Sequence, residues 1–150
     1  MCDKPYTNDD KWTAALLSGL LFLIVASPYT YSFSNAAGKA LGVNLADATG
    51  CPNAIGLIVH GVVFALLLRL IMNKSNERCE KPYTSKDKWI ISIIGGLLFI
   101  LISSPFLYNA VSSLAASIGI KTADGEGCPN IAGLILHTAV FTLLTRALMR

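Results

Sequence analysis

One gapless self-alignment constrains this chain more than any other feature: residues 2–73 return at an offset of 77, with about 32 of 72 aligned positions identical. Cys2-Asp3-Lys4-Pro5-Tyr6-Thr7 with Asp10-Lys11-Trp12 comes back as Cys79-Glu80-Lys81-Pro82-Tyr83-Thr84 with Asp87-Lys88-Trp89. Gly19-Leu20-Leu21-Phe22 matches Gly96-Leu97-Leu98-Phe99, and Ser27-Pro28 matches Ser104-Pro105. Gly50-Cys51-Pro52-Asn53 matches Gly127-Cys128-Pro129-Asn130, His60 matches His137, and Arg69 matches Arg146. Shared hydrophobicity does not produce identity at Cys, Pro, Gly and His, so the chain is an internal duplication with units at 1–77 and 78–150.

Each unit carries two apolar blocks of about 20 residues, the length that crosses a hydrocarbon core of roughly 30 Å as a helix. The whole chain is 53% hydrophobic and only 14% charged, unlike a soluble surface. The spans are predicted near 12–31, 53–72, 89–108 and 130–149. The first block follows a charged head and so resembles a secretory leader cut near Asn35-Ala36-Ala37, but the same block recurs mid-chain, where such a signal has no use. Two spans per unit bring the second unit into the membrane in the same orientation as the first. The expected fold is therefore an all-α membrane protein: four transmembrane helices forming two tandem, parallel helical hairpin repeats, related by a pseudo-two-fold axis along the membrane normal.

Trp12 and Trp89 open their spans and Tyr31 and Tyr108 close them, as headgroup-level aromatics do. Thr7 and Thr84, each with an aspartate three residues on, offer helix caps. Pro52 and Pro129 are expected in the first turns of the second and fourth spans, and Pro28 and Pro105 are expected to bend the first and third. Ten of the 12 Lys and Arg residues fall on the side of the termini and the central linker, and only Lys39 and Lys121 lie opposite. The positive-inside rule then puts both ends in the cytosol. Arg69 and Arg146 are expected to snorkel to that face. On the far side, Phe33, Ala36, Ala37, Ala40 and Leu41, and likewise Val111, Leu114, Ala115 and Ile118, predict a short amphipathic helix. Each is expected to lie on the interface or to continue its span beyond the proline, then unwind at 47–50 or 124–127.

His60 and His137 are the strongly polar side chains deep in the spans. They could hold a metal or relay protons across the repeat axis. The favoured reading is a polar pair that packs helices, each imidazole bonding a carbonyl, Ser18 or a neighbouring hydroxyl beside Gly56 or Gly133. Ala15, Ser18, Gly19 and Ala26, with Ser92, Gly95, Gly96 and Ser103, form a close-approach face for packing. Cys51 and Cys128 could form a disulfide in an oxidising compartment, but spacing alone does not decide it, and free thiols are the expectation for both this pair and Cys2 with Cys79. Palmitoylation is the competing reading for Cys2 and Cys79. Neither a zinc-ligand spacing nor a catalytic signature occurs, so no metal, no cofactor and no enzyme activity are expected. The net charge of +3 comes mainly from the orientation charges and is too dispersed for nucleic-acid binding.

The duplicated KPYTxxDKW head, the Ser-Pro-closed first span and the GCPNxxGLxxH second span resemble the small hairpin membrane proteins of nucleocytoplasmic large DNA viruses, including those of algae. The resemblance covers both copies. It implies a structural protein of the virion inner membrane, derived from host endomembrane, a minor capsid component tying the icosahedral shell to the bilayer. Its implied partners are lipid and other capsid or membrane proteins, in a homo- or hetero-oligomer. Lys4, Tyr6, Lys11, Lys81, Tyr83 and Lys88 are the expected capsid contacts, against the plainer reading that these segments only cap helices and set orientation. The alternative function is a small channel or viroporin with His60 and His137 lining a pore between several chains. A third is an assembly factor of host endomembranes absent from the particle.

Overall fold

A threonine hydroxyl starts the first helix of each half. The Thr7 side chain accepts from the Asp10 amide while the Asp10 carboxylate reaches back to the Thr7 amide, and Thr84 and Asp87 repeat the exchange. These capping boxes launch α1 (Asn8–Val25) and α4 (Ser85–Ile102). The computed structural model describes residues 7–76, 83–124 and 126–149. Among these it holds six helices and no strand.

Neither α1 nor α4 runs on to its tyrosine as one helix: the apolar blocks expected over 12–31 and 89–108 are each interrupted at the proline, where the bend expected there takes the form of a break. Proline brings no amide hydrogen, and the serine before it can cap a new helix, so a clean break replaces the kink. Ser27 accepts from the Thr30 amide and starts α2 (Pro28–Ala40), while Ser104 accepts from the Leu107 amide and starts α5 (Pro105–Ala116). The axis turns by 53° at the first break and 54° at the second. α2 and α5 end at Ala40 and Ala116, several residues before the expected unwinding points.

α3 (Ala54–Asn76) and α6 (Ile131–Leu148) follow the GCPN motifs. The prolines do not occupy their first turns. Asn130 is the cap of α6, its side chain accepting from the Gly133 amide, and Asn53 makes the same bond to Gly56. The asparagine thus takes the capping role, and Pro52 and Pro129 instead form isolated bridges to Ala46 and Ala123. The second glycine of this GCPNxxG stretch is equally constrained. A Cβ on Gly56 would overlap the Leu45 carbonyl, and one on Gly133 the Thr122 carbonyl, so only glycine lets the loop backbone lie on the helix.

α3 and α6 are long and apolar enough to cross a membrane by themselves, and the number rises to four if each bent pair is one span. Leu16, Leu20 and Ile24 keep more than half of their surface exposed along one stripe of α1, and Ile93, Leu97 and Leu101 do the same on α4. Such outward apolar stripes suit lipid as the surrounding solvent.

The most extensive packing joins the halves: α1 lies along α6, and α3 along α4. Small residues permit it, with Gly19 against Thr142, and Gly96 against Ala65 and the Gly61 backbone. At the centre four phenylalanines close a ring. Phe22 stacks on Phe141 at 4.7 Å and Phe64 on Phe99 at 5.0 Å, while Phe22 meets Phe99, and Phe64 meets Phe141, edge to face at 5.3 and 5.5 Å. All four are buried, and they fill the axis of the bundle.

Candidate functional site

Three polar layers stand out, each built twice. At the end bearing the starts of α1 and α4, the guanidinium of Arg69 lies over the Trp89 ring at 5.4 Å and that of Arg146 over Trp12 at 5.5 Å. Arg146 also bonds Asn8, and Arg69 bonds Asn73 and Ser85. The arginines therefore clamp a neighbouring helix start from the other half, where snorkelling was expected. Lys88 joins the same clamp through Asn73 Oδ1 at 3.0 Å. Lys11 and Tyr83 line the mouth of a cleft described below. Lys4, Tyr6 and Lys81 lie outside the described residues.

The second layer answers the helix breaks. Breaking α1 and α4 at proline frees buried carbonyls that need another partner. His60 Nδ1 bonds the Val25 carbonyl at 2.9 Å and His137 Nδ1 bonds that of Ile102 at 2.8 Å. A carbonyl only accepts, so Nδ1 carries the proton in both rings. His60 Nε2 then accepts from the Ser34 hydroxyl at 2.7 Å. His137 Nε2 has no hydrogen-bond partner, since Val111 stands at the position equivalent to Ser34. Tyr31 stacks on His60 with centroids 3.8 Å apart, and Tyr108 on His137 at 3.9 Å. Both tyrosines are buried rather than placed in a headgroup belt. Ser18 is not the histidine's partner; it donates to the Ala14 carbonyl at 2.7 Å. Each histidine is engaged within its own half, and no hydrogen bond or ring contact joins the two among the described residues.

The third layer is the far-side cap. Asp47 Oδ1 accepts from the Thr49 amide, the Thr49 hydroxyl and the Cys51 amide at 2.7–3.0 Å, and Asp124 Oδ1 accepts from the Glu126 and Cys128 amides. Gly50 and Gly127 take the positive φ, 84° and 85°, that these turns require. The turns bring Cys51 and Cys128 together as a disulfide with Cα atoms 5.3 Å apart. The expectation of free thiols is thereby corrected for this pair. The Asp47 carboxylate lies with both sulfurs in one group whose ligand atoms are within 4.8 Å of one another, but bonded sulfurs are not thiolate ligands, so the group is no metal centre as it stands.

Hydrogen bonds from the Thr49 hydroxyl, then from the Cys51 amide, hold the Asp47 carboxyl below the usual carboxylate range. A carboxyl depressed by folding stabilises fully above its unfolded pKa, about 4, and the contribution fades as pH falls through the folded value. The Cys51 amide proton is therefore expected to hold one NMR shift from neutral pH down to about 4 and to move only below it. Asp47→Asn, which keeps the acceptor oxygen, should abolish the transition; a wild-type shift that never moves would contradict it.

Comparison with protein-family models, curated proteins and solved structures gave no match. The phenylalanine ring, the tyrosine stacks and the Asp47 turn were not anticipated. A signal for the first two existed, because Phe22, Phe64 and Tyr31 all recur unchanged at 77 residues amid apolar positions that vary freely.

Proposed function

We propose that this chain is a structural membrane protein with four spans, in which α1 with α2 and α4 with α5 act as broken spans, and that it anchors a capsid shell to the bilayer beneath. The observation carrying this reading is the doubled clamp at one end: two equivalent helix starts, Thr7 to Trp12 and Thr84 to Trp89, fixed by Arg146 and Arg69. A scaffold that presents one polar element twice on one face suits attachment to a repeating shell. The resemblance of the duplicated motifs to viral hairpin membrane proteins supports the same role.

Two independent features favour termini in the cytosol. By their place in the sequence ten of 12 basic residues belong to that side, and the Cys51–Cys128 disulfide lies on the other, where an oxidising lumen would preserve it. The parallel repeat about an axis along the membrane normal accords with the matched pairs α1 with α6 and α3 with α4. The viroporin alternative needs imidazoles on an outer face, whereas His60 and His137 are 3% and 1% exposed.

Reversing Lys4, Lys11, Lys81 and Lys88 to glutamate tests the anchor. Incorporation into particles should fall at least about tenfold while membrane insertion persists. Unchanged incorporation would defeat docking through these segments.

A further inference from the structure

The two helix pairs part at the clamp end. There a cleft of about 410 Å³ opens between them, with walls from α1, α3, α4 and α6. We infer that it holds one acyl chain of an anionic phospholipid, with the headgroup phosphate at Lys11.

The wall is hydrocarbon, Leu17, Leu68, Ile94 and Leu98 among its residues, and its floor is Phe141 of the aromatic ring. The cleft is thus blind, which suits a chain end and not a permeating ion. Of the polar groups along it, Ser18 is bonded to its own helix, and Thr145 lies near the mouth end of α6. Depth fits as well. Asp10 and Ser18 mark mouth and interior on α1, eight residues apart, or about 12 Å of helix rise. One leaflet of hydrocarbon is roughly 15 Å.

The mouth is polar, with Asp10, Lys11 and Tyr83 around it. Asp10 is tied to Thr7 through both the amide and the hydroxyl of that residue. Among the described residues at this end, Lys11, Arg69, Lys74, Lys86, Lys88 and Arg146 outnumber Asp9, Asp10 and Asp87. That balance favours an anionic headgroup over a zwitterionic one. The inference needs membrane insertion and not the capsid role.

The test uses the full chain in nanodiscs with phosphatidylglycerol or phosphatidylcholine carrying a photoactivatable group near the chain end. With phosphatidylglycerol, Leu17 and Leu98 should label about fivefold more than the outward Leu16, Leu20 and Leu97, and phosphatidylcholine should lose that excess. Lys11→Gln should reduce the cleft labelling about fivefold while outward labelling holds. Cleft labelling equal to outward labelling, or the same excess with both lipids, would overturn the proposal. Absence of label on both faces would overturn membrane placement and the proposal with it.

Discussion

Replacing His60 and His137 together by alanine is expected to destabilise the folded unit by roughly 4–6 kcal/mol, read from unfolding in detergent micelles. Each imidazole satisfies the carbonyl left open where proline ends a helix, at Val25 or Ile102, and each lies stacked against a buried tyrosine. An orphaned buried carbonyl costs about 1–3 kcal/mol, and the vacated space beside the tyrosine adds a cavity penalty. His60→Ala should cost more than His137→Ala, because it removes a second hydrogen bond, from Ser34 to Nε2, that His137 lacks, although the Ser34 hydroxyl keeps the Tyr31 carbonyl. Stability unchanged by the double substitution, with reconstituted ion conductance abolished, would hand the histidines to a pore and remove their structural role.

Reduction of the far-side bridge should have the second-largest effect. Cys51 and Cys128 are 77 residues apart, and closing a loop of that length restrains the unfolded chain by roughly 4 kcal/mol. Spans held by a bilayer are already restrained, so Cys51→Ser with Cys128→Ser is expected to cost about 2–4 kcal/mol. A reductant on the wild type should reproduce that loss and expose two further alkylatable thiols. No gain of thiols on reduction would refute the bond.

The helical class and the polar starts of α1 and α4 were legible because their causes are local. A threonine three residues before an aspartate, just ahead of an apolar run, favours the same cap in both copies, and blocks of apolar residues announce helices suited to lipid. The breaks at Ser27 and Ser104 were less legible, since a late proline alone does not tell a kink from a fresh cap; the serine before it decides. The site residues depended on tertiary placement. His60 was recognisable as a polar outlier, yet its partner is a carbonyl 35 residues away, freed by another helix's break. The disulfide was undecidable for a related reason: nothing in the CPN spacing shows that two Asp-anchored turns bring the sulfurs into contact.

The cross-pairing of the helices has a consequence for biogenesis. Because α1 takes its principal neighbour from α6, a helix made more than a hundred residues later completes the packing of the first. The amino-terminal half must therefore wait with Gly19 unmatched until α6 has been made. A gene encoding a single unit could have met the same need by pairing two polypeptides, so that duplication and fusion turned an encounter between molecules into an intramolecular step.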